Sequence, residues 1–186
     1  MELSLVLIII TLLLGTVLRG ESLVEESRLH RLALDQAAIA TAVRSYARLY
    51  HFIPGDDPKA HERWPEAENG NGDGRISDRS SEETQVWRHL RLAHLFIPKV
   101  VNQGIAQHIL GGDYHLIHQP ARLPDLALCM DQLLPEQAAS YDSRHDDGDG
   151  REGNIRNPGP IQDDNDSPPR PWPPAEGGRV RMCVGL

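Results

Sequence analysis

The chain has 186 residues and is poor in several things, each of which removes a class of protein. There are two cysteines, Cys129 and Cys183, spaced too widely for a redox pair of the CxxC kind. Positive charge is in deficit, with 19 Lys and Arg against 27 Asp and Glu and a formal net charge of -8. That balance argues against nucleic acid or an anionic lipid surface as the main partner. The sequence contains no G-x-S-x-G, no P-loop and no G-x-G-x-x-G. It also lacks HExxH, although it has nine histidines. His115 and His118 fall in a candidate strand, where residues three apart face opposite ways. His89 and His94 fall on a candidate helix but five apart, poor spacing for shared ligation. Neither a zinc site nor an enzyme is therefore expected.

Basic residues are also missing where a secretory signal needs them. The chain opens "MELSLVLIIITLLLGTVLRG", with Glu2 in place of a basic n-region and Arg19-Gly20-Glu21 in place of a small-x-small cleavage site. The apolar run from Leu3 to Leu18 has 16 residues. At 1.5 Å per residue it spans roughly 24 Å, about one turn short of the ~30 Å hydrocarbon core.

What is present is a helical pattern that continues past the apolar run. Leu29, Leu32, Ala33, Gln36, Ile39, Ala40, Val43, Ala47 and Tyr50 recur at i, i+3, i+4, i+7 spacing, the stripe of an amphipathic helix. Pro54-Gly55-Asp56 stops it. The spacing predicts one helix of about fifty residues, apolar in residues 1–20 and amphipathic in residues 21–53, followed by a head over residues 54–186.

The segment "ELSLVLIIITLLLGTVL" resembles the N-terminal segment of type IV pilins and of the pseudopilins of type II secretion. Members of that family carry a short basic leader, a glycine and an aromatic residue ahead of the glutamate. Here the glutamate is Glu2, Met1 stands just before it, and the leader is absent. Either the start codon is assigned too far downstream, which is the expectation, or this member truly lacks the leader; the missing residues would bring the apolar run to bilayer length. The resemblance implies that Glu2 pairs with the N-terminal amine of a neighbouring subunit during assembly. A lone carboxylate at the edge of an apolar run is a functional candidate by default; the alternative is a residue simply hydrated at the interface.

The head continues the resemblance. "PGDDPKAHERWPEAENGNGDGRI" and then "SEETQVWRHLRLAHLF" follow the order of one pseudopilin-like branch. Ser81 and the glutamates after it start a helix, with Val86, Trp87, Leu90, Ala93 and Leu95 or Phe96 on its apolar face. "GGDYHLIHQ", "DLALCM" and "RVRMCVGL" are expected strands, and Pro135 to Tyr141 a short helix. Asp142, Asp146, Asp147, Gly148, Gly153 and Ile155-Arg156 fit the D-x-x-x-D-D-G…G-x-[VI]-R pattern of the pseudopilin C-terminal region. The proline-rich stretch from Pro158 to Pro174 is expected to be extended rather than core. Given export, a Cys129–Cys183 disulfide tying the last strand to the head is expected.

Two acidic loops offer oxygens to a hard cation. Loop 142–154 holds Asp142, Asp146, Asp147, Asp149 and Asn154. Its carboxylates repel one another unless neutralised, and pseudopilins carry a calcium loop in this region, so Ca2+ is the candidate cofactor. Loop 69–78 places Asn69, Asn71 and Asp73 at alternating positions, like the first half of an EF-hand loop. It departs from that pattern with asparagine at position one and Ser80 at position twelve, leaving the weaker candidate. The alternatives are a solvated acidic loop and a glycine-rich turn respectively.

These readings point to an α+β, pilin-like protein: a long N-terminal helix packed on a small antiparallel sheet. The resemblance implies a structural subunit of a secretion pseudopilus or type IV pilus-like filament. It would sit as a single-pass protein in a bacterial inner membrane before assembly, with its head in the periplasm. Its partners would be copies of itself or related subunits, the inner-membrane assembly platform, and prepilin peptidase if a leader exists. A membrane-tethered, calcium-dependent periplasmic binding domain is the other reading. A plain tether needs neither Glu2 nor the amphipathic extension, whereas a filament subunit needs both.

Overall fold

The computed structural model describes residues 2–77, 80–159 and 168–186; in the first helix, side chains are described at Val6, Ile10 and from residue 23 onward. The Glu2 side chain, residue 78 of the first acidic loop and residues 160–167 of the proline-rich stretch lie outside the described set.

The helical stripe forms one element, α1, Glu2–Tyr50, of 49 residues. Leu29, Leu32, Ile39, Ala40 and Val43 are buried along it, joined by Ala42 and Tyr46. Beside the buried stripe Arg31 and Asp35 pair at 3.0 Å across one turn. The helix ends where His51 turns left-handed at φ 64°, three residues before Pro54. Among the described residues no helix is long and apolar enough to cross a membrane.

Beyond α1 come α2 (Ala60–Arg63), α3 (Ser81–Leu92), β1 (Val101–Asn102), β2 (Ile105–Ala106), β3 (Tyr114–His118), β4 (Leu126–Leu133), α4 (Pro135–His145), β5 (Ile155–Arg156) and β6 (Val180–Gly185). A 3-10 turn, Pro120–Arg122, links β3 to β4. The N-cap of α3 is Ser80, one residue before the expected start; its hydroxyl oxygen accepts the Glu83 amide.

The main sheet runs β3-β4-β6-β5, with every recorded pairing antiparallel; β1 and β2 form a separate hairpin. The alternation of side chains separates two clusters. Tyr114, Leu116, Leu128, Met130, Met182 and Val184 join α1 and α3 in the larger core. Ile117, Ala127, Cys129 and Cys183 form the smaller one with Leu123. Cys129 and Cys183 stand opposite each other in register and are joined by a disulfide. The fold is thus α+β, a long helix packed on an antiparallel sheet.

One expectation needs correcting. The proline-rich stretch is not wholly separate from the core, because Trp172 packs against the main cluster. Its indole N–H also donates to Asp142 at 2.8 Å. An indole needs both an apolar bed and a partner for its N–H, and this position supplies both.

Candidate functional site

The loop after α4 gathers three carboxylates. Asp142, Asp146 and Asp147 each present an oxygen within 4.8 Å of the others. The three differ in environment. Asp142 is fully buried, since α4 points it inward beneath Trp172, while Asp146 and Asp147 are exposed. Burial raises the Asp142 pKa above its ordinary value; the Trp172 N–H and the Gly148 amide oppose that rise, and the neighbouring Asp147 and Asp146 charges add to it. Among the described residues Asp142 Oδ1 is sealed from solvent and has no hydrogen-bond partner within normal geometry.

The loop is shaped around this cluster. Asp146 Oδ2 accepts the Ile155 amide at 2.8 Å and also the Asn154 amide, drawing the start of β5 back onto the loop. Asp147 Oδ1 accepts the Asp149 amide at 2.8 Å, an Asx turn. The other two candidates point elsewhere. Asp149 is clamped by the Arg151 guanidinium at 2.6 Å, which with the Arg151 amide lowers its pKa. The Asn154 amide group donates to the Gly185 carbonyl at 3.1 Å. The cation-competent set is therefore Asp142, Asp146 and Asp147. A sealed carboxylate oxygen without a well-aligned donor among the described residues, beside two more carboxylates, fits a hard cation that accepts oxygen ligands.

The glycine-rich loop 69–78 is organised around an anion. Asp56, 1 % exposed, receives the amide N–H groups of Gly72 at 2.7 Å and Asp73 at 3.1 Å on Oδ1, and of Gly74 at 2.8 Å on Oδ2. The oxygens that spacing suggested for a cation each accept a backbone amide: Asn69 from His61, Asn71 from Asp73 and Asp73 from Arg75. Gly70 lets the loop close, since a Cβ there would lie 2.4 Å from the Asp56 backbone. Next in sequence, Asp57 is fully buried and accepts hydrogen bonds from the Tyr46 hydroxyl at 2.7 Å and the Arg63 guanidinium. The Pro-Gly-Asp-Asp segment thus ties the end of α1 to the loop.

A third cluster was not anticipated from the spacing of residues. His115 on β3 is 7 % exposed and lies between two carboxylates. Its Nδ1 bonds Glu83 of α3, and its Nε2 lies 3.3 Å from Asp131 Oδ2 on β4. Burial opposes charge on the ring, but the hydrogen bonds to Asp131 and Glu83 outweigh it and push the pKa up to about 9. The signal in the sequence was Asp113 two residues before His115, hence on the same strand face.

No family model matches this chain, and neither a curated protein nor a solved structure does.

Proposed function

We propose that this chain is a pilin-like structural subunit, of a type II secretion pseudopilus or a type IV pilus-like filament, rather than an enzyme. The observation that carries the reading is α1: a single 49-residue helix with an apolar sequence at one end and a buried stripe at the other. Packing between Leu29 and Tyr46 holds the second half against the head, and the helix runs unbroken from Glu2 into that packed half. Such a helix is the element a filament needs, able to exchange lipid contacts for contacts with other helices. The Cys129–Cys183 disulfide supports a head in an oxidising compartment such as the periplasm. The Asp142–Asp146–Asp147 cluster supports calcium as a cofactor that orders the C-terminal loop. The partners are other copies or related subunits, and the membrane machinery that assembles them.

Glu2 is the residue whose charge the assembly reading requires. Glu2→Gln keeps the shape and removes the charge. Membrane fractionation should show unchanged insertion, and the sheared filament fraction should lose the protein. Normal filament incorporation of the variant would remove this role for Glu2.

A further inference from the structure

The Asp113–His115–Asp131 cluster lies apart from the acidic loop, and the filament reading makes no use of it. Asp113 precedes His115 by two residues and stands opposite Asp131, whose neighbour Met130 pairs with Tyr114. Alternation therefore brings all three side chains to one face of the β3–β4 pair. The Asp113 amide donates to Asp131 Oδ1 at 2.7 Å, and the Asp131 amide donates to the Asp113 carbonyl at 3.3 Å. Gly112 permits this approach, since a Cβ there would lie 2.3 Å from the Asp131 carbonyl oxygen. His108 braces the same point, with Nε2 2.9 Å from that carbonyl.

We infer that Asp113, His115 and Asp131 form a binding site for one divalent first-row transition ion, of which zinc suits the ligands best. Three observations carry it. One ligand atom from each residue lies within 4.8 Å of the others, against at most about 4.4 Å for oxygens or nitrogens sharing an ion at ~2.0–2.2 Å. Among the described residues Asp113 Oδ1 is sealed from solvent with no hydrogen-bond partner, although a carboxylate oxygen can accept one. Glu83, 1 % exposed, holds the far nitrogen of His115, the carboxylate–histidine arrangement that fixes the ring of a metal ligand and leaves Nε2 to the ion. Asp131 also lines an open cavity of about 440 Å³, which gives the ion an entry path.

The test uses the full chain purified in detergent, stripped with a chelator and titrated with Zn2+, then with Co2+ for its visible absorption. The expected result is one ion bound with micromolar or tighter affinity, a raised melting temperature, and a Co2+ spectrum of mixed nitrogen and oxygen ligation. Asp113→Asn keeps the side chain's shape and removes one ligand charge; it should weaken binding at least about tenfold, as should Glu83→Gln through loss of the orienting carboxylate. Asp147→Asn, in the other cluster, should leave Zn2+ affinity unchanged. No binding by the wild-type chain would overturn the site. So would binding that Asp113→Asn leaves intact, which would mean adventitious ligation by surface histidines only. A metal-independent rise in melting temperature in Asp113→Asn, with no loss of Zn2+ affinity, would mean that the cluster is only a strained ion-pair network.

Discussion

Calcium should stabilise the head through the loop that follows α4, and the size of the effect follows from its ligands. Three side chains contribute carboxylate oxygens, and two of the three are exposed. Few charged ligands on a solvated loop belong to the weak class of calcium sites, with Kd on the order of 10⁻⁴ M. At about 1 mM Ca2+ the native state is then stabilised by roughly RT ln 11, about 1.4 kcal/mol. For a chain of this size that is a rise of roughly 3–6 °C in melting temperature. The assay is a thermal melt followed by circular dichroism, with calcium or with a calcium-selective chelator so that a transition ion bound elsewhere is left in place. Asp147→Ala removes one ligand and should make the two curves coincide. In the chelated state the same substitution should be neutral or slightly stabilising, because it relieves repulsion on Asp142 and Asp146. Coincident curves for the wild-type chain would refute the reasoning, as would an undiminished calcium response in Asp147→Ala.

Other perturbations probe the supports of this architecture. Trp172→Phe removes the indole hydrogen bond to the buried Asp142 carboxylate and should cost about 1–3 kcal/mol in urea unfolding; a loss under about 0.5 kcal/mol would show that solvent or a relaxed loop replaces the indole. Gly70→Ala forces a Cβ into the Asp56 backbone and should lower the melting temperature far more than Gly74→Ala, where space is open and only the φ of 79° is strained; equal effects would contradict the cradle. His89 is held neutral because burial lowers its pKa, with Nδ1 accepting the Gly55 amide and Nε2 against the Glu68 carbonyl. The unfolded chain takes up a proton near pH 6.5 that the folded ring resists, so this contribution is complete above roughly pH 6.5 and is lost as pH falls. In His89→Gln the decline in urea midpoint between about pH 7.5 and 5.5 should shrink; an unchanged decline would assign it to other groups.

Legibility of the fold in the sequence depended on whether the pattern was local. The α1 stripe was readable because a helix repeats every 3.6 residues, and most of the residues it named are buried. β3 and β4 are legible as weakly alternating or short apolar runs and β6 as an alternating one, on a sheet with both faces covered. What escaped was set by register and by distance. Asp113 and Asp131 meet because two strands pair at one offset, and no spacing along the chain encodes that offset. Glu83 reaches His115 from a helix 32 residues earlier. The glycine-rich loop showed its turns, but the carboxylate it encloses belongs to Asp56, 16 residues before the first amide that binds it. The proline-rich composition reads as an extended segment, yet a single anchored indole, Trp172, is enough to seat such a segment on the head. In the acidic loop the cluster of carboxylates was plain, whereas the outward turn of Asp149 onto Arg151 depends on a side-chain pairing that composition does not reveal.

The most direct test of the filament reading is a photo-crosslinker placed in turn at Val6 and Ile10, both half-exposed on the apolar end of α1, in cells that express the chain with its native partners. Irradiation should give a ladder of covalent multimers from both positions, and Glu2→Gln should abolish it while the protein remains in the membrane. A chain that stays monomeric at both positions, crosslinking to lipid alone, would contradict the filament account and favour a head that is merely tethered.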